Sequence, residues 1–534
     1  MGIEAISGGP VSVGRPSHHP VLAVIAVVLG AFIHSLDTRL FAIGLPDLRG
    51  ALGLTFDEGA WLSTAATAPQ ILIAPAIAWL AVVFGLRRVL IGPGLVYVVI
   101  SLLVPFARDY QTLLVLHFIR GMLPGVFIPV TIMIVLRNLP MQWWIVGLAA
   151  YSFRLSFTGN AGVSLVGFYV QHLGWQWLYW QDAVVALLMV ILTLLGTPRE
   201  SINRALLAKA DWGGMLLFGA GLALIYAGLD QGNRLDWFGS GTVTALLAGG
   251  AALVVCFLIN EAVVAEPWAS PTVLMSRNVL LVMATLITYM ITSLSNTMLV
   301  PTFLTAVAGL RPEQIGSLLL VYTALPICVV VLVAIYLLRR IDARFVMILG
   351  LTSFAIAAWM GTRVTGAWVL DDFIPIALAQ ALGQGLTFTA LLIFVLANAD
   401  PARATAFVAY IQVMRLDIIE ITVTGMSTWL RVREQLHSNL VGLHVAAGDS
   451  EVAQRLARLT GEFLDYGAAA ASARAVGTLA RLVRRQADVL SFIDGFTVAF
   501  WGAIAGLLLV SLMRAAPPGP LTPNGMQAGS NGVH

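Results

Sequence analysis

Apolar runs long enough to cross a bilayer recur along the chain, separated by short polar segments. They lie at 21–44, 60–82, 88–107, 112–136, 143–170, 178–196, 212–229, 241–260, 279–303, 314–338, 345–362, 373–397, 404–430 and 493–513. About 20 apolar residues in a helix suffice to span the hydrocarbon core. The pattern predicts an all-α polytopic membrane protein with fourteen transmembrane helices. The first run, VLAVIAVVLGAFIHSLDTRLFAIGLP from Val21 to Pro46, carries Asp37 inside it. An ionisable group within lipid is costly and tends to face a protein interior or a water-filled path, so Asp37 is the first functional candidate.

Composition agrees with the pattern. The 534 residues are 59% hydrophobic and 11% charged, with a mean hydropathy of +0.89, against roughly 25% charged in a soluble domain. Domain counts based on soluble sizes therefore do not apply. Net charge is +3, but no basic run resembles a phosphate cradle, and nucleic acid is not an expected partner. Cys256 and Cys328 both fall in apolar spans, where a disulfide framework is not expected. Residues 1–20 lack the basic start of a secretory signal, so the first span reads as retained.

Basic residues set the orientation. With the N-terminus inside, thirteen lie in inner segments and five in the short outer loops. Both termini are expected in the cytoplasm. Eight more occupy the long outer loop 431–492, where Val452, Leu456, Leu459 and Phe463 recur at helical spacing and Leu479, Val483 and Leu490 do so more loosely. Two short amphipathic helices are expected there, as a cap or as a surface for a partner. The tail 514–534 is Pro/Gly-rich and expected to be disordered.

The last four basic residues, Arg39, Arg120, Arg154 and Arg415, fall inside spans, as do the acids Asp37, Asp182, Asp417 and Glu420. A buried guanidinium keeps its charge and needs a partner or water. Arg39 and Asp182 lie near enough to the outer interface to reach it along their stems. By helical rise, Asp37 and Arg120 both sit roughly 12 Å below the outer surface and can meet. His34 and His117 stand one turn from them, which suggests a proton relay. The competing reading is a static ion pair joining two helices. In the thirteenth span Asp417 and Glu420 share a face, and two such carboxylates do not readily both ionise in a low dielectric. They suit a second proton site, a contact for a cationic substrate, or structural pairing with Arg154.

An internal repeat, VLRNLP before Arg154 and VLANADP before Arg415, places each arginine fourteen residues after its proline. It implies two six-helix halves, 21–196 and 261–513, with two inserted helices in the linker 197–260.

These motifs resemble the major facilitator superfamily, in particular its fourteen-span drug:proton antiporter branch of the EmrB/QacA type. LDTRLFAIGLP ending at Pro46, GWQWLYWQD at 174–182, GLDQGNRLDWFGS at 228–240 and QADVLSFIDGF at 486–496 carry the likeness. The superfamily's inner hinge motif survives as Gly85, Arg87 and Arg88, with Val82 where an acid is usual. Its fourth-span motif reads His117-Phe-Ile-Arg120-Gly121, with the arginine moved by one turn. The antiporter motif of the fifth span is reduced to AGVSLVGF with Gly162 and Gly167 and has lost its proline.

The resemblance implies a major facilitator fold and export of amphipathic or cationic compounds across the inner membrane, driven by a proton gradient and without a cofactor. It also implies partnership with a periplasmic adaptor and an outer-membrane channel. No P-loop, paired cysteines or metal-spaced histidines suggest an enzyme, and His18-His19 stands alone in the tail. Uptake or uncoupled facilitation of a metabolite or siderophore-like compound, and a non-transporting sensor or assembly subunit, are the other readings.

Overall fold

The computed structural model describes residues 19–264, 267–269, 274–398, 404–445, 449–517, 519 and 521–522. Side chains at 133, 136–138, 404–409 and 412–416 fall outside that description, and so do the Arg415 side chain and most of both tails.

Among the described residues the chain is helical throughout. The first half holds α1 (Pro20–Leu52), α2 (Phe56–Phe84), α3 (Leu86–Leu103), α4 (Tyr110–Met122), α5 (Pro124–Asn138), α6 (Trp144–Phe168) and α7 (Trp177–Gly196). A short α8 (Arg204–Leu207) leads to the inserted pair α9 (Trp212–Gly232) and α10 (Gly241–Val263). The second half begins with α11 (Arg277–Leu294), α12 (Val300–Ala306), α13 (Pro312–Leu319) and α14 (Leu325–Leu338). It continues with α15 (Ala343–Gly361), α16 (Ile374–Ala397), α17 (Ala404–Leu443), α18 (Ser450–Glu462) and α19 (Ala468–Ser511).

Sequence signals at the ends explain several boundaries. Thr55 and Glu58 form a reciprocal capping box at the start of α2, satisfying two amides that the helix itself leaves unpaired. Asp109 and Asp211 cap α4 and α9 by accepting from Thr112 and Gly214. Helix α1 runs through Pro46 and ends only at Leu52, where Gly53 turns left-handed at φ 65°. Pro46 was expected to close the first span; it lies inside the helix instead. Leu123-Pro124 divides the fourth span into α4 and α5, since the ring at 124 removes a donor and crowds the preceding turn.

Twelve described helices or helix pairs are long and apolar enough to cross a membrane. The two long helices outside that set, α6 and α17, carry the most polar interiors: Ser152, Arg154, Ser156, Thr158 and Asn160 in one, Arg415, Asp417 and Glu420 in the other. The apolar count therefore stops at twelve, short of the expected fourteen. Helix α6 crosses to pack on α13, α14 and α16, while α17 crosses to pack on α2. The two polar helices thus make reciprocal contacts with the opposite half.

The outer loop differs from expectation. Its second predicted helix is not separate: α17 runs on to Leu443 and α19 begins at Ala468, so both continue beyond the membrane, with α18 between them. No proline interrupts either stretch. The described part of the C-terminal tail is also not free, since Leu521 is buried in the cluster with Leu338, Ile393 and Phe394.

At Gly121 α4 comes close to α2, and an added Cβ would run into the carbonyl oxygen of Ala66. Backbone cannot yield as a flexible side chain can. Gly121→Val is expected to destabilise by about 1–3 kcal/mol, read as a lowered midpoint in thermal unfolding in detergent. An unchanged midpoint would place the helices farther apart.

Candidate functional site

Arg120, in the last turn of α4, is 1% exposed and sits between two carboxylates. Its Nη1 is 2.8 Å from Asp37 Oδ1 on α1, and its Nη2 is 2.6 Å from Asp182 Oδ2 on α7. Nε donates to Ser101 Oγ at 3.0 Å and Nη2 to the Tyr97 hydroxyl at 2.9 Å, both on α3. Tyr97 in turn donates to Asp182 Oδ2 at 3.1 Å. The guanidinium lies over the rings of Tyr97 and Tyr179. One cation therefore faces two buried acids, and four helices meet at it.

The structure thus brings together Asp37 and Arg120, as helical depth suggested, and adds Asp182. Asp182 was expected to reach for the interface; it is 1% exposed. Its position five residues into α7, which packs on α1 and α3, turns it inward. His117 is close to the cluster but is not part of the ion pair. Its Nδ1 lies 2.9 Å from the Leu113 carbonyl and its Nε2 lies 2.9 Å from the Tyr179 hydroxyl. A carbonyl only accepts, so Nδ1 carries a proton, and in the neutral ring Nε2 accepts from the tyrosine hydroxyl. His34 is buried on α1, one turn before Asp37.

Arg154 is fully buried in α6 and donates to the Ala31 carbonyl at 3.1 Å and to Ser35 Oγ, tying α6 to α1. Arg39 does not reach for the interface either. Its Nε donates to the Gly159 carbonyl at 3.0 Å and its Nη2 to the Thr297 carbonyl at 2.8 Å, so it joins the two halves. Gly162 leaves room for its stem, since a Cβ there would stand 2.6 Å from Arg39 Cγ. Gly167 does the same against Glu313, with 2.8 Å to the Cα.

A polar seam follows between the halves. Asn160 donates to Gln384 Oε1 at 2.8 Å, Asn296 donates to Asn160 Oδ1 at 2.8 Å, and Ser152 and Thr389 share a hydrogen bond of 2.8 Å. Asn296 sits in a π-helical turn, Ser295–Leu299, and bonds Thr323 in a second such turn, Leu320–Ala324. Turns of this kind recur at functional sites.

On α17, Asp417 is 6% exposed, and among the described residues neither of its oxygens has a hydrogen-bond partner. The expected pairing with Arg154 is therefore not formed. Glu420 accepts from Thr424 Oγ1 at 2.9 Å.

At the other end of the bundle Gly85 turns the chain at φ 83°, Arg87 donates to the Thr197 carbonyl at 3.0 Å and Arg88 to the Phe84 carbonyl at 3.2 Å. Glu200, which carries no local sequence signal, accepts from the Leu86 amide at 3.2 Å. An acid beside the first turn of α3 is favourable, and Glu200 fills the space over Gly85.

A family model, the Major Facilitator Superfamily, matches residues 27–416. The chain belongs to the major facilitator superfamily. Among curated relatives, "Multidrug export protein EmrB" of Haemophilus influenzae is 26% identical over 260 residues, 48% of this chain and 50% of that one. EmrB of Escherichia coli K12 is 26% identical over 239 residues, 45% and 46% of the two chains. The chain thus spans about half the length of these relatives. "Fatty acid resistance protein FarB" of Neisseria gonorrhoeae is 21% identical over 94% of this chain and 97% of its own. Among solved structures, the "proton:xylose symporter XylE" is similar with a TM-score of 0.55 at 12% identity, covering 96% of this chain and 98% of that one. That likeness concerns the fold alone.

Proposed function

We propose that this superfamily member is a proton-coupled exporter of amphipathic or cationic organic compounds, working by alternating access in the inner membrane. The supporting observation is the buried Asp37–Arg120–Asp182 cluster, in which two carboxylates share one guanidinium. Such a cluster is one positive charge short, and charges buried away from water need compensation. A proton completes it, and loss or gain of that proton changes which helices Arg120 ties together. Substrate and proton then favour opposite facings of the two halves.

The names of the relatives, with multidrug export in two, support this substrate class. In this reading both termini lie in the cytoplasm, which the excess of basic residues in the inner segments supports, and the halves 21–196 and 261–513 with the inserted pair make fourteen spans. Catalysis and a cofactor have no part in this reading. A periplasmic adaptor and an outer-membrane channel are its proposed partners, the outer extensions of α17 and α19 being the surface for them.

The test is substrate-induced proton release from proteoliposomes under an imposed pH gradient, across a panel of lipophilic cations. Release is expected from the native protein and is expected to vanish in Asp37→Asn and Asp182→Asn. Transport without proton movement, or full activity in both variants, would make the cluster a structural clamp and favour an uncoupled facilitator.

A further inference from the structure

Helix α9 is wedged against both α2 and α17, one from each half, along a seam that separates when the halves rock. Its last turn holds both sides. Thr64 on α2 donates to Asp230 Oδ2, and Gln231 Nε2 donates to the same oxygen at 3.3 Å. Beyond it, Asn233 Nδ2 donates to Ser427 Oγ at 2.9 Å and Thr428 Oγ1 donates to Asn233 Oδ1 at 2.9 Å, both on α17. Deeper on α17 lie Glu420, which interacts electrostatically with Asp230, and Asp417, which interacts with Glu420. Tyr226 lies one turn before Asp230 on the same helix and is buried.

Three acids thus face one seam. The charged groups around them are few among the described residues. Helix α2 offers threonines there, with its acids Asp57 and Glu58 about two turns away toward the same end, and Arg431 of α17 donates to the Asn233 carbonyl at 3.4 Å. Arg234, next to Asp230, is bound to Asp57 and to Gln231 Oε1 at 2.7 Å. On the outer parts of α17 and α19, Arg433 and His437 are bound to Asp494. The side chains of Arg137 and Arg415 fall outside the description. Asp417 is the second observation: buried, with no hydrogen-bond partner for either oxygen among the described residues. An uncompensated carboxylate in such a place carries a large desolvation cost, and a neighbouring carboxylate adds to it. Described acids, cysteines and histidines nowhere converge in threes around one metal-sized point, so a proton suits the geometry better than a metal ion.

We propose that Asp417 and Glu420 hold a second transport-linked proton at the seam with the inserted helix, with Asp230 as the third acid that senses it. The word "transport-linked" rests on the exporter reading; the presence of the proton does not. The proton enters from the outer aqueous side onto a carboxylate oxygen and leaves to inner water, with no other bond made or broken. With the proton bound, α17 approaches Asp230 without repulsion and the seam closes. Without it, two or three like charges push α9 and α17 apart. The inserted helices are then part of the coupling machinery.

Infrared difference spectra between acid and alkaline pH, on the full-length protein in proteoliposomes, test the site without requiring transport. The native protein and Asp37→Asn are expected to show a protonated-carboxyl band that shifts in D₂O. Asp417→Asn and Glu420→Gln, both near-isosteric, are expected to lose or displace it. A band unchanged in both variants overturns the proposal. The second arm counts protons released per tetraphenylphosphonium moved, and with one of two sites lost that ratio is expected to fall about twofold. A lost band with an unaltered ratio overturns the transport link and leaves a structural proton. Failure of the native protein to move any probe cation defeats the exporter reading, while the infrared arm still decides the site.

Discussion

Arg120→Ala is expected to lower stability by about 3–5 kcal/mol and to abolish transport, the cost usual for removing one partner from a buried ionic group. The reason lies in what is left behind. Asp37 and Asp182 would then face each other in a buried interior without their cation, and four helices would lose their common tie. Arg120→Lys separates charge from geometry. A single ammonium cannot serve Asp37, Asp182, Ser101 and Tyr97 together, because the planar fork supplies several fixed donors and the ammonium is a point. The lysine variant is expected to fold but to lose coupling.

A triple variant, Arg120→Met with Asp37→Asn and Asp182→Asn, provides the control. Replacing a buried ionic group by neutral residues of similar size is often neutral or stabilising, so its thermal midpoint should return toward the native value while proton release stays absent. Thermal unfolding in detergent and the proteoliposome assay read the two effects separately. If Arg120→Ala unfolds at the native midpoint, the cluster is not the tie described above.

The reach of the sequence can be traced residue by residue. Asp37 and Arg120 were legible as a pair because helical rise sets depth, and the comparison holds even though α1 runs past Pro46 to Leu52. Asp182 was not, because it stands near the start of its span, where a short acidic side chain and an interfacial one look alike; only the packing of α7 on α1 and α3 turns it inward. The same ambiguity hid Arg39. His117 was correctly placed one turn from Arg120 but its hydrogen bonds run to Leu113 and Tyr179, which spacing along one helix cannot reveal. Glu200 had no local signal, since its partner is the Leu86 amide far back in the chain. The outer loop misled for a different reason: amphipathic periodicity marks helix, but it does not show whether that helix is continuous with the span beside it. The spans themselves were readable almost throughout, as a bilayer leaves few alternatives to helix.

Arg39→Leu is expected to shift the balance between the two facings by roughly 10- to 100-fold toward the state open at the end where Gln171, just beyond α6, donates to Glu313 of α13. Arg39 donates to Gly159 in the first half and to Thr297 in the second, and a hydrogen bond from a charged donor contributes about 1.5–3 kcal/mol. The Thr297 bond must break whenever the halves part there, so its whole contribution weights the closed state. The bond to Gly159 stays within one half and weights neither. Arg39→Lys has one ammonium for two carbonyls and should fall between the native protein and the leucine variant.

Gly162→Leu supplies an independent route to the same outcome, since it evicts the arginine stem without touching its charge. Spin labels at positions 171 and 311, on opposite sides of that end, read the population directly. A distance distribution unchanged in both Arg39→Leu and Gly162→Leu would mean that the Asn160–Gln384 and Asn160–Asn296 bonds hold the seam without Arg39. A shift in both would make Arg39 the link through which α1, the helix carrying Asp37, controls the opening of the second half.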